Sequence, residues 1–453
     1  MPEFDLLIHG AQPFPEIGIA DGKIVSFSAG PAREEIAATG LHIFPGVIDS
    51  HVHFNEPGRT DWEGIETGSR ALAAGGGTLF FDMPLNAHPP TCDAASFDLK
   101  LAAAEKKSLA DFAFWGGLVP GNLDKMEALA ERGVVGFKAF MASSGIEDFS
   151  CVDTETLRAG MARAAQLKLP VAVHAEDERL TNQWTAQMIA AGATSVLDYL
   201  NSRPVLAEVL AIEEAIQLAR ETGCALHIVH VSSYNGVDKI AAAKESGVDV
   251  TCETCPHYLV LTDDDMEKIG ARAKCAPPLR SAGAQQELWR RLLIGRITTV
   301  GSDHSPAPPE MKTGDNFFKV WGGISGVQHT LPLLLTRFCA DPYYGPLSDQ
   351  ANPYASQSLQ LLAELLATNV SGRFKLPNKG KIAVGFDADF ALVDLKQSFT
   401  VTKEDLFYRH QQSPYVGRAL TGRVVQTILR GNTVFKDGQI VSPPAGRLVK
   451  PQR

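Results

Sequence analysis

The chain has 453 residues, 45% of them hydrophobic and 21% charged, with a formal net charge of −10. That length exceeds one small domain and fits one large domain with an attachment. The ordinary globular composition and acidic balance argue against a nucleic-acid partner, which takes a basic face, and the seven scattered cysteines argue against a disulfide framework.

The N-terminus lacks the basic and long apolar segments of a signal peptide, and no apolar run is long enough to span a membrane. A reducing cytoplasm is therefore expected. Residues 5–9, 17–20 and 23–27 read as short strands, with Asp21-Gly22 as a two-residue hairpin turn. Near the other end, 389–394 and 424–431 also read as strands, and Asp437-Gly438 is a second hairpin turn. Neither end is long enough to bury a β core alone. The two ends are expected to pair into one small β-sandwich, 1–47 with 379–453, beside a main domain at 48–378.

Within that main domain, strand-like and helix-like segments alternate, the mark of parallel α/β architecture. The first strand runs through Pro45-Gly46-Val47-Ile48-Asp49-Ser50-His51-Val52-His53. Strand patterns follow at 78–83, 112–119, 134–141, 171–174, 225–231, 250–253 and 298–303, with helical stretches such as 94–107, 154–167, 204–222 and 282–293 among them. Eight strands over about 330 residues fit a (β/α)₈ barrel with insertions. A doubly wound sheet is the alternative, but no Gly-x-Gly-x-x-Gly turn follows a strand. Gly75-Gly76-Gly77 precedes its strand and reads as a loop or helix cap.

Chemistry gathers at the strand ends. His51 and His53, two apart on a strand, share one face, and two neutral imidazoles side by side suit a divalent metal. Lys138 lies inside an apolar strand, where lysine is depleted. His174 closes the fifth strand before Ala175-Glu176, His230 the sixth, and Asp303 the eighth before His304. Each has a plainer reading: rim histidines held by hydrogen bonds, a lysine reaching out to solvent, an aspartate capping a turn. A barrel brings all these ends to one mouth, where such enzymes keep their active sites, so a metal centre is the expectation. His227, three residues before His230, is expected to point to the opposite face and pack against a helix. Cys252-x-x-Cys255 with His257 lacks a second pair for structural zinc, so buried cysteines are expected, with His257 near the mouth.

Laid out this way, the chain resembles the cyclic amidohydrolases of the metal-dependent hydrolase superfamily, and among them the allantoinase group most. The broad motifs are Asp49-Ser50-His51-Val52-His53, Gly136-Phe137-Lys138, Val173-His174-Ala175-Glu176, His230-Val231-Ser232-Ser233, Cys255-Pro256-His257-Tyr258 and Ser302-Asp303-His304. The narrower ones are Glu56-Pro57-Gly58-Arg59-Thr60-Asp61-Trp62-Glu63-Gly64, Met83-Pro84-Leu85-Asn86, the run from Ser302 to Lys312, Trp321-Gly322-Gly323-Ile324 and Ser413-Pro414-Tyr415-Val416-Gly417-Arg418. The resemblance implies two divalent ions, zinc first, with cobalt, manganese or iron as alternatives. His51, His53 and Asp303 would hold one ion and His174 and His230 the other, with Lys138 bridging them as a carbamate formed with carbon dioxide. It implies hydrolysis of a cyclic amide, with Asp303 as the catalytic acid–base, a small-molecule substrate and a homo-oligomer, tetrameric by analogy.

Asn86, Ser143, Ala276 and Gly322 are the substrate contacts carried over. Two departures bear on the substrate. Dihydroorotases typically place an arginine two residues after the second histidine, where this chain has Asn55. Hydantoinases and dihydropyrimidinases carry a tyrosine five residues after the bridging lysine, where Ser143 stands here. Both favour a substrate without a carboxylate and with a ureido group needing room, hence allantoin. A hydantoinase or dihydropyrimidinase activity is the runner-up. A non-catalytic scaffold is the remote alternative, since such relatives usually lose ligands and all six are present.

Overall fold

The computed structural model describes residues 3–341, 345–349 and 352–453. The strand patterns of the main domain become a parallel barrel. One sheet joins Val47–Val52, Gly77–Asp82 and Asp111–Phe114, and a second joins Gly116–Gly117, Phe137–Phe140, Val171–His174, Leu226–Ile228, Val250–Thr254 and Thr299–Val300. The third strand, expected as one run, is broken at Trp115. Its first half pairs with the second strand and its second half with the fourth, so one barrel position serves both sheets. The ring closes where Val52 bridges to His304 beyond the eighth strand. Helices Ala94–Lys107, Thr154–Gln166, Val205–Thr222 and Ala282–Leu293 lie at the expected places. Gly75 caps the helix Ile65–Ala74, so the glycine run ends a helix.

Outward strand residues such as Phe80, Phe112, Phe137 and Val171 pack in the cluster that the helices share, while inward ones such as Leu79, Phe81, Ala113 and Ala172 form a separate barrel interior. That alternation is the period of two that strand geometry imposes. It places Lys138, Ala172, His227 and Thr251 in one lateral row across four strands. His227 therefore points into the barrel and does not pack outward as expected. The strand ends at Ile228, and His230 beyond it sits at φ 40°, so alternation counted back from His230 gives the wrong face.

The two chain ends do meet in a sandwich. Strands from Phe4 to Ala37 form a four-stranded sheet, and His42–Pro45 joins Phe390–Thr400, Ala419–Leu429, Asn432–Lys436 and Gln439–Ile440 in a five-stranded one. Leu6, Ile8, Ile17, Ile43, Phe390 and Ile428 fill the space between them. Both hairpin turns lie in the left-handed region, Asp21 and Gly22 at φ 51° and 72°, Asp437 and Gly438 at 49° and 82°. That is the conformation two-residue turns need and Asp-Gly permits. The edge strand Ala32–Ala37, pairing parallel to Phe4–His9, went unforeseen. No described helix is long and apolar enough to cross a membrane.

Barrel and sandwich are tied by a buried cation. Lys379 Nζ donates to Asp111 Oδ2 at 2.6 Å and Asp389 Oδ2 at 2.7 Å, and lies 2.9 Å from Asp387 Oδ2. Burial alone would depress the ammonium, but the three carboxylates raise it above its usual value. Its charge fills the one place where these aspartates would otherwise hold a metal. Lys379→Met removes the cation that all three carboxylates share, leaving Asp111 to Arg430 and Asp387 to Lys23. Urea unfolding should show a loss of about 3–5 kcal/mol.

Candidate active site

Five of the barrel strands bring polar side chains to the same end. His51 Nε2 lies 3.2 Å and His53 Nε2 3.5 Å from Asp303 Oδ1, and the three side chains form a cluster able to hold a metal ion. Opposite them, His174 Nδ1 and His230 Nε2 face each other at 3.1 Å. His51 and His230 join the two halves, their ring centroids 5.4 Å apart. Lys138, fully buried, has no hydrogen-bond partner for its Nζ, which sits 5.0 Å over the Phe140 ring. Asp303 and Glu253 bear on its charge, and its own charge bears on His174 and His230. The six predicted ligands thus converge in one buried place. His230 and Asp303 are held at φ 40° and 46°, a strained setting for non-glycine residues that recurs at functional sites.

The protonation states suit metal binding. Burial lowers the pKa of His53, His174 and His230, leaving neutral imidazoles with free lone pairs. Burial alone would raise the Asp303 carboxyl, but His51 and His53 beside it hold it down to about 2. Burial brings the Lys138 ammonium down to about 7. An orphaned lysine nitrogen, an unpartnered His53 Nδ1 and a ring of neutral imidazoles around a carboxylate make a donor set that fits a divalent metal pair.

Partners outside this ring fix which nitrogen each histidine presents. Glu253 Oε1 accepts from His51 Nδ1 at 2.8 Å, leaving Nε2 to face Asp303, and Ser50 Oγ donates to the other Glu253 oxygen. Glu176 Oε2 accepts from His174 Nε2 at 2.8 Å, leaving Nδ1 to face His230, and Arg203 forks onto Glu176. Such carboxylate–histidine pairs set tautomer and ring direction. Burial opposes ionisation of both carboxyls, yet Arg203 and His174 beside Glu176, and His51 and His227 beside Glu253, keep them well below the usual range. Glu253 and Arg203 were not anticipated. A carboxylate inside the apolar run Val250-Thr251-Cys252-Glu253 was the available signal, of the kind that singled out Lys138. Nothing local marks Arg203.

Cys252 and Cys255 are buried and free. Cys255 lies with His257 and Asp303, but burial pushes its thiol well up, so the thiolate that binds zinc is disfavoured. His257 is fully buried with neither ring nitrogen partnered, and burial lowers it to about 4.

Residues 42–434 match the amidohydrolase family. The chain belongs to that family. Among curated relatives it is 54% identical to an allantoinase of Rubrobacter xylanophilus, with 100% of this chain and 99% of the relative aligned. It is 49% identical to an allantoinase of Deinococcus radiodurans, over 99% of each. Among solved structures it superposes on the L-hydantoinase (dihydropyrimidinase) of Arthrobacter aurescens with a TM-score of 0.92 at 33% identity, covering 99% of this chain and 100% of that one. This amidohydrolase thus shares its barrel-and-sandwich layout from end to end with a hydantoinase.

The mouth of this amidohydrolase carries the remaining candidates. Asn86, buried at φ 67°, donates to Ser305 Oγ at 3.3 Å, two residues beyond Asp303. Asn55 is buried and donates to the Pro306 carbonyl, its own Oδ1 unpartnered. Arg59 Nη1 is engaged by the carbonyls of Asn86 and Ala87. Ser143 is exposed. Ala276 and Gly322 lie on two irregular segments joined by Gly323 N donating to Lys274 O at 2.7 Å, and Ser305 N, two residues past Asp303, donates to Ile324 O at 2.9 Å; a Cβ added to Gly322 would meet nothing within 4 Å.

Proposed function

We propose that this chain hydrolyses the cyclic amide bond of allantoin to give allantoate. The observation that carries the reading is the full-length 54% identity to an allantoinase, on a chain where His51, His53 and Asp303 form a cluster able to hold a metal ion and His174 faces His230 at 3.1 Å. His51, His53 and Asp303 would hold one divalent ion, His174 and His230 a second, with Lys138 bridging them as its carbamate. Zinc is the ion we expect. Bound there, the ions would supply Lewis acidity at the scissile carbonyl and lower the pKa of water towards about 7.

The protein's own groups do the rest. A lysine brought down to about 7 is largely a neutral amine in mildly alkaline solution. That amine adds carbon dioxide, forming an N–C bond and releasing a proton. Asp303, ionised throughout the working range, accepts the proton of the attacking water. It returns that proton to the ring nitrogen as the C–N bond breaks, so one water is consumed. Asn55 is an amide where a substrate carboxylate would need a cation, and Arg59 is already engaged. Ser143 leaves space that a larger side chain would fill. Both features favour the neutral hydantoin ring with a ureido arm. The same reading takes the enzyme as cytoplasmic and tetrameric by analogy with the family.

The test is a panel of cyclic amides offered to the metal-replete protein. Allantoin should be opened much faster than dihydroorotate, dihydrouracil or hydantoin. Comparable kcat/KM for allantoin and dihydrouracil would shift the assignment to the hydantoinase reading.

A further inference from the structure

Lys274, buried, and Lys312, half-buried, lie outside the metal-binding cluster and are aimed at main chain. Lys274 Nζ donates to the carbonyls of Phe317 at 2.6 Å and Val320 at 2.5 Å. Lys312 Nζ donates to the carbonyls of Trp321 at 3.0 Å and Gly323, with Ala271 O at 3.4 Å. The segment they grip, 317–323, contains no helix or strand. Its carbonyls therefore need partners from elsewhere if they are buried. Two ammonium groups, each with three donors, provide them.

The pairing has a gap at one residue. Trp321 N donates to Met311 O, and Gly323 N to Lys274 O at 2.7 Å. The carbonyls on either side of Gly322 are both taken by Lys312. Among the described residues, no hydrogen bond reaches the N–H or the C=O of Gly322 itself, and its Cβ direction is open. The neighbouring segment repeats the pattern. Tyr199 Oη donates to the Cys275 carbonyl at 2.8 Å and Tyr258 Oη to that of Pro277 at 2.6 Å. The peptide groups of Ala276 between them have no protein partner among the described residues. The bond from Gly323 N to Lys274 O locks the two segments together. A fixed main chain with its unpaired groups left at one rim recognises a planar amide edge without an ordering cost on binding.

Gly322 and Ala276 are substrate contacts that the family resemblance already implies; we propose that Lys274 and Lys312 are positioning residues that hold the two segments as one rail so that these peptide groups stay presented to the substrate. This rests on the reading of the protein as a cyclic-amide hydrolase, and goes beyond it in assigning substrate affinity to two lysines that touch neither metal nor substrate.

The experiment replaces Lys312 by Met and by Arg in the full-length, metal-loaded protein. Kinetics are followed with whichever cyclic amide the wild type opens fastest. Lys312→Met should raise KM by roughly 10-fold or more, the loss of one well-placed binding contact. Its kcat should stay within about threefold of wild type, its metal content should be unchanged, and amide hydrogen exchange should quicken in 317–323. Lys312→Arg, which keeps the donors, should recover part of the KM. Gly322→Ala has room for its methyl and tests the rim without touching the clamp; it too should raise KM. An unchanged KM in Lys312→Met, or a fall in kcat and metal content without a change in KM, overturns the proposal. If Lys312→Met does not fold, Gly322→Ala and Lys312→Arg decide, and wild-type KM in both overturns it. Absence of allantoin turnover by the wild type would instead count against the substrate assignment, while the exchange and KM data on its preferred cyclic amide still test the rail.

Discussion

Lys138→Ala should lose most of its bound metal and most of its activity, and short carboxylic acids should restore part of both. The side chain is fully buried, makes no hydrogen bond and points its nitrogen at a cluster of histidines and a carboxylate. A buried ammonium without a partner is costly, and it would repel a cation. Burial has already moved it towards the neutral amine, at about 7. The group that explains the position is one that removes the positive charge and offers oxygens to two ions, which a carbamate does. Alanine leaves a space that acetate or propionate can enter, bringing a carboxylate in place of the carbamate. Metal analysis and turnover, each measured with and without added acid, check this. Full metal content and activity in the unrescued variant would show that the lysine bridges nothing.

Asp303→Asn should separate holding metal from moving a proton. The carboxylate sits 3.2 Å from His51 Nε2 and 3.5 Å from His53 Nε2, and these neighbours keep it ionised against its burial. Asparagine keeps the size and one oxygen able to meet a metal, but it cannot carry the proton. Turnover should fall by roughly 10² to 10⁴, the usual worth of a positioned acid–base group, with part of the metal retained. Asp303→Ala should lose metal as well. Metal content beside kcat for the two variants is the measurement. If Asp303→Asn binds two ions and works at near wild-type rate, the proton moves elsewhere. His257, buried beside Asp303 with both nitrogens unpartnered, is then the candidate.

Much of this architecture was legible because its signals are local. Asp21-Gly22 and Asp437-Gly438 state their own turn geometry. The helix at 94–107 begins at an Asp93 cap whose side chain accepts from Ser96 N. Histidines at strand ends are conspicuous because the strands that carry them are otherwise apolar. What escaped the sequence is long-range or depends on where a strand stops. At the break, Trp115 donates its indole N–H to Ser50 O across the barrel, a contact no local pattern encodes. The eighth strand shortens to Thr299–Val300, so Asp303 lies on the turn beyond it, held by Asp49 accepting from Ser302 N. His227 was assigned to the wrong face because the backbone turns at His230. Ala32–Ala37, largely exposed and charged, shows no alternation to read. Glu253 belongs to His51 by a contact spanning 202 residues of chain, and Arg203 reaches Glu176 from the end of a helix on another element. The candidate ligands were readable and their supports were not, because chemistry marks the first and only folding brings the second into place.

A metal centre held by His51, His53, Lys138, His174, His230 and Asp303 should open allantoin. The most direct measurement follows allantoin by NMR with the purified protein as isolated, after chelation, and after restoring a divalent ion. One product is expected, allantoate, formed with uptake of one water, lost on chelation and recovered with two ions bound per chain. A protein that binds two ions per chain and leaves allantoin intact would contradict it.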